Sequence, residues 1–195
     1  MRYAGSSSWQ VRSGTSQQLV IGLFVRDAAG LRPRVDIEVP PLVPAVEARA
    51  SLAPLAVPEA SAQWARWWDR ELTRHEEPHR GFLAPESRFG GGEELGALMR
   101  ECFDDAVRWS SARGREYAEA MMRGDRRGHE GDLVRAVETE LGRKARPFEL
   151  QVMELPVAGA VGWRVSEKHV VVSRALREDA EAYRRWLTSV IRELA

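Results

Sequence analysis

The chain has 195 residues, 44% hydrophobic and 30% charged, with 29 basic residues balancing 29 acidic ones. That length suffices for one domain with a proper core, and the charge balance gives no reason to expect bulk nucleic acid as a partner. A single cysteine, Cys102, excludes an internal disulfide and fits a reducing cytoplasm.

The opening stretch MRYAGSSSWQ lacks the apolar core of a secretory signal. The longest apolar run, Leu19 to Val25, is too short to cross a bilayer, so neither a membrane nor export is expected. All but Lys144 and Lys168 of the basic residues are arginine. Beside so much Ala, Gly and Val this reads as the codon bias of a GC-rich bacterial genome rather than as a binding function.

In chain order, WQVR (9–12) reads as a short strand. QLVIGLFV (18–25) is a continuous apolar run, as in a central strand covered on both faces. After a turn at Gly30 and Pro33, RVDIEV (34–39) alternates apolar Val35, Ile37 and Val39 with Asp36 and Glu38, the pattern of a half-buried strand. Prolines at 40, 41, 44, 54 and 58 mark an extended connector, with Pro58 fitting the first turn of a helix. That helix carries Trp64, Trp67, Trp68, Leu72 and His75 at helical spacing.

A second connector covers 84–94, and a long helix is predicted from Glu93 to about Met122, with Leu95, Leu98, Met99, Cys102 and Val107 on its stripe. A polar turn at 123–132 precedes a helix over 133–141, with Asp132 as its N-cap. FELQVMEL (148–155) alternates again. GWRVS (162–166) and HVVVS (169–173) flank Glu167-Lys168 as a hairpin. The last helix spans 179–194 and carries Tyr183, Leu187, Val190 and Leu194 on one face.

Neither pair of strands is stable alone, so the N- and C-terminal strands must share a sheet. The expectation is a single α+β domain over 1–195. It has strands within 9–39, a helical middle at 58–144, strands within 148–173 and a C-terminal helix. The mixed or largely antiparallel sheet of about five strands packs against three to four helices, mainly on one face, with Phe148 and Trp163 largely buried.

Among the motifs, His75-Glu76-Glu77-Pro78-His79 matches the zinc-peptidase pattern H-E-x-x-H. Both histidines must reach one metal from successive turns of an unbroken helix, and Pro78 breaks it. His129, placed in a turn, and His169, in a strand, supply no third ligand at a recognisable spacing. A metal-dependent hydrolase using His75, Glu76 and His79 is therefore the alternative reading, and no metal or other cofactor is expected. The glycines of FGGGEE (89–94) precede Glu93 and Glu94, which already complement the helix dipole and repel phosphate. Cys102 sits on an apolar stripe beside Glu101, Asp104 and Asp105, the setting of an inert thiol. Arg123-Gly124-Asp125 spells an adhesion tripeptide by chance.

Seven tryptophans are the least expected feature, three of them at 64, 67 and 68. Trp64, Trp68 and Leu72 stack at four-residue steps, which leaves Trp67 off the line and expected to be exposed. The reading that follows is a non-catalytic interaction or accessory module. Its anchor residues are Trp64, Trp67, Trp68, Arg66 and Arg70, and its partner is another protein or a second copy of the chain as a homodimer. A small-molecule binding module with a pocket beside the tryptophan helix is a further alternative.

Overall fold

The computed structural model describes residues 2–5, 9–73, 92–123 and 129–195. The protein mixes helices with one mixed sheet, and the chain divides into two compact units. One comprises 1–16 and 114–195, the other 17–113.

The first unit holds the sheet. Its strands are β1 (Arg2–Gly5), β2 (Trp9–Thr15), β3 (Phe148–Leu155), β4 (Gly162–Ser166) and β5 (His169–Ser173), in the order β1-β2-β3-β5-β4. The outer pairings are antiparallel and the two inner ones, β2 with β3 and β3 with β5, are parallel. The N- and C-terminal segments meet as 9–15 against 148–155, whereas the strands expected at 18–25 and 34–39 take no part in the sheet. One sheet face carries Trp9, Val11, Leu150, Val152, Val170 and Val172 in register. These pack with Leu133, Val134 and Val137 of a helix at His129–Leu141 and with Tyr183, Leu187 and Ile191 of the C-terminal helix Ala180–Leu194. Asp179 caps that last helix by accepting from Ala182 N at 2.9 Å. A short helix, Arg174–Glu178, precedes it, with Ser173 as its N-cap.

Two expectations for this unit are corrected. The helix predicted at 133–141 begins at His129, so Asp132 lies in its first turn and is not its cap. Phe148 and Trp163 are only half-buried. Phe148 sits at a strand end, stacked on Trp9 with ring centroids 6.5 Å apart, and Trp163 lies on the edge strand β4.

The second unit is helical: α1 (Gln17–Ala29), a 3₁₀ helix (Ala50–Leu55), α2 (Pro58–Thr73), and the first part of α3 (Glu93–Arg123). The apolar run 18–25 is therefore not a strand but the middle of α1. A helix that is apolar all round is a buried helix, and every residue from Gln18 to Arg26 is buried. Gly30 ends it with φ +63°: Leu31 N–H bonds Arg26 O at 2.9 Å and Gly30 N–H bonds Asp27 O at 3.1 Å, the paired closure of a Schellman motif. A second one closes at Gly142, after the helix His129–Leu141. Residues 34–39 are not a strand either. The run 31–39 has no regular secondary structure, bends at Asp36 and Ile37, and pairs with no described strand.

No helix among the described residues is long and apolar enough to cross a membrane. With the remaining helices in chain order, α4 is His129–Leu141, α5 is Arg174–Glu178 and α6 is Ala180–Leu194.

Candidate functional site

The two faces of α2 have opposite fates. Trp64, Trp67 and Trp68 are all buried, and Trp67 is 0% exposed, which overturns its expected exposure. Trp64 and Trp68 stack with centroids 5.1 Å apart, and Trp67 tilts against both. The reason Trp67 turns inward is Gly22. Lacking a Cβ, Gly22 lets the Trp67 ring lie directly on α1, and its carbonyl accepts the Trp64 indole N–H at 2.7 Å. Three aromatic rings thus bind two helices together, and none is left as a surface anchor.

The outer face of α2 carries Pro58, Ser61, Ala62, Ala65, Arg66 and Asp69. With Gly30, Arg32, Arg34 and Ala56 these residues line an open cleft of about 680 Å³. Of the five residues expected to form a site, only Arg66 is here, exposed and paired with Glu59 at 2.8 Å. Arg70 is exposed one turn further on and does not line the cleft. Arg32, Arg34 and Arg66 give one part of the cleft positive charge. Asp69 gives the other part negative charge, and its pKa is raised, first by burial and then by the neighbouring charge of Asp36.

The wall opposite α2 is made by Gly30, Arg32, Arg34 and Ala56, and Arg32 and Arg34 belong to the run 31–39. That run realises the alternation read from the sequence: Leu31 and Val39 are buried, Pro33, Val35 and Ile37 half-buried, and Arg32, Arg34, Asp36 and Glu38 exposed. Both ends are pinned. At the start, Leu31 closes α1, and Arg32 N–H donates to Ser61 Oγ at 3.3 Å. At the far end the buried Arg26 donates to Val39 O at 2.6 Å and to Pro40 O at 2.9 Å. Arg26 is held by Asp27 at 2.7 Å, and Asp27 also accepts Leu42 N–H. Between the pins, no hydrogen bond to a described residue involves the backbone of Arg34 through Glu38. Nor do Arg32, Arg34, Asp36 and Glu38 form ion pairs among the described residues.

Cys102 and Glu130 are held in buried contacts. Cys102 donates to Leu98 O at 2.9 Å, and its pKa is pushed up to about 11 by burial, with Asp105 and Glu101 adding to the rise against the charge of Arg49. In the sheet unit, Glu130 in the first turn of α4 accepts from Ser13 at 2.9 Å, from Arg177 and from Tyr183 at 3.3 Å. Glu130 is 5% exposed. Burial works to raise its pKa, but Arg177, its own backbone N–H and Ser13 outweigh this, and the net shift is downward. The four side chains are closed to a substrate and tie α4, β2, α5 and α6 together.

Among the described residues no group of His, Cys, Asp and Glu is placed to hold a metal ion. The His75-Glu76-His79 motif, the glycines at 90 and 91 and the Gly124-Asp125 pair lie outside the described residues. Gly92 is described, with φ +130°, and the helix it precedes is capped by Gln63, which accepts Leu95 N–H at 2.9 Å and donates to Glu94. No family model matches the chain, and no curated protein or solved structure is similar to it.

Proposed function

We propose that the protein is a non-catalytic interaction module whose contact surface is the run 31–39 and the cleft beside it along α2. The observation that supports this is that no described residue bonds to the backbone of Arg34–Glu38, in a segment of strand-like alternation. An exposed row of N–H and C=O groups is a template for an added strand, with main-chain hydrogen bonds giving affinity and alternate side chains giving specificity. The cleft adds charge of both signs and apolar walls at Ala62 and Ala65, and no nucleophile paired with a base lines it. The earlier anchors Trp64, Trp67 and Trp68 leave this reading, Arg66 stays in it, and Arg32 and Arg34 join it.

The test is retention of proteins from a native lysate on immobilised wild type, on Arg34→Ala and on Arg70→Ala. A protein held by wild type and Arg70→Ala and released by Arg34→Ala supports the reading. Identical retention by all three overturns it.

A second reading, binding of a small anion, has one observation in its favour: three arginines line a cleft whose volume lies in the range of ligand sites. Titration with inorganic phosphate and with succinate, followed by amide shifts, separates it from the first. Saturable shifts at 30–34 and 61–66 support it, and their absence removes it.

A further inference from the structure

Resting on the reading of the run 31–39 as a contact surface, we propose that its occupant is the same run of a second copy, paired antiparallel about Val35. The argument is charge. The exposed side chains along the run are Arg32, Arg34, Asp36 and Glu38, two cations followed by two anions. Folding a second copy back antiparallel with Val35 opposite Val35 sets Arg34 against Asp36 and Arg32 against Glu38. The two-fold axis repeats each pair, so all eight charges are matched.

The other registers fail. Centring the pair on Asp36 brings the two copies of Asp36 together, and centring it on Arg34 brings the two arginines together. Parallel pairing in register sets every charge beside its like. Registers shifted by an odd number of residues put Val35 and Ile37 of one copy on the face of the charged residues of the other. Opposite charges directly across a strand pair are favourable and like charges unfavourable, so among two-fold antiparallel registers the charges favour the one centred on Val35. The bend at Asp36 and Ile37 confines the closest pairing to the residues around Val35, and the two Arg34–Asp36 pairs carry the register.

The side chains concerned are exposed, so their exchange leaves each chain folded. Mass by sedimentation, over a concentration series of the full chain, is the measurement. Wild type is expected to form a dimer that weakens with salt. Arg34→Asp alone and Asp36→Arg alone each set like charges together twice across the axis, and each is expected to raise the dissociation constant by about tenfold or more. An equimolar mixture of the two variants restores both opposite-charge pairs, and its dimer returns to within about threefold of wild type. Val35→Cys is expected to form a disulfide-linked dimer under mild oxidation, because directly opposed strand residues lie within the span of a disulfide. Glu47→Cys, exposed outside the run, is expected to form none.

A chain that sediments as a monomer up to its solubility limit overturns the second copy as occupant. So does a dimer that Arg34→Asp leaves intact, or a variant mixture that stays monomeric. Retention of a lysate protein that Arg34→Ala releases, beside a monomeric chain, would keep the contact surface and discard only the proposed partner.

Discussion

Replacing Gly22 by Ala and Gly114 by Ala is the same chemical change in two helices, and the structure gives it opposite signs. Alanine in a helix interior is favoured over glycine by up to about 1 kcal/mol, through lower backbone entropy in the unfolded chain. At Gly114, within α3, an added Cβ meets nothing within 4 Å, so Gly114→Ala is expected to stabilise by about 0.5–1 kcal/mol. At Gly22 the added Cβ falls well inside 3.0 Å of the far ring atoms Cη2 and Cζ3 of Trp67. That indole is rigid, fully buried and packed against both Trp64 and Trp68, so it cannot swing aside without disturbing them. The helices must separate instead, which also stretches the Trp64 hydrogen bond to Gly22 O. Overpacking of this kind costs about 1–3 kcal/mol, and the rigidity of the cluster argues for the upper end. After subtracting the propensity gain, Gly22→Ala is expected to destabilise by about 2 kcal/mol. Urea unfolding followed by tryptophan fluorescence reads both variants against wild type. Trp67→Leu in the Gly22→Ala background should cost less than it does alone, because it frees the space that the methyl needs. A Gly22→Ala protein as stable as wild type would refute the packing of Trp67 on α1.

The remaining predictions concern buried groups. Glu130→Gln strips the partner from a buried guanidinium and is expected to destabilise by about 3 kcal/mol. The folded pKa of Glu130 lies below the ordinary glutamate value of 4.5, so its ion-pair stabilisation is full above that value and is lost as pH falls through the lower folded one. Wild type should therefore lose stability below about pH 4.5 more steeply than Glu130→Gln in an acid titration followed by circular dichroism, and parallel curves would sink this. Cys102, buried and with a pKa near 11, should react with a thiol reagent at neutral pH only as fast as the chain opens, and rapid reaction of the folded protein would contradict its burial.

Much of the sheet and helix pattern was legible because its signals are local. The strand at 9–12, the hairpin around Glu167-Lys168, the long helix from Glu93 and the final helix each carry their own periodicity or turn chemistry, and each is found. The segment 18–25 was not legible by periodicity, because an apolar run of eight residues fits a buried strand and a buried helix equally. Its stop signal was present: Arg26 in the last turn, Gly30 just past it and apolar Leu31 next are what a Schellman closure requires. The same signal stands at Gly142. The tryptophan cluster misled for a different reason. Helical spacing fixes which residues share a line, but not how wide a face the neighbours bury, and Gly22 widens that face enough to take Trp67.

The candidate site shows the more informative kind of mismatch. Residues 34–39 keep the burial alternation of a strand, but the expected strand does not form. Val35, Ile37 and Val39 turn toward the protein and Asp36 and Glu38 turn away, as a strand demands, yet the backbone between them bonds to no described residue. Natural sequences agree across levels, and where local pattern and tertiary structure part company, function is the usual reason. An alternation without a sheet costs the folded chain its backbone hydrogen bonds, while Arg26, Asp27 and Ser61 hold both ends of the run in place. In the proposed pairing such pinning would lower the entropy lost on contact, because both ends of the run are already held. In the proposed pairing the order of charges selects the strand. A run with one sign of charge would repel its own copy, whereas Arg-Pro-Arg-Val-Asp-Ile-Glu reads as its own complement when turned end for end about Val35.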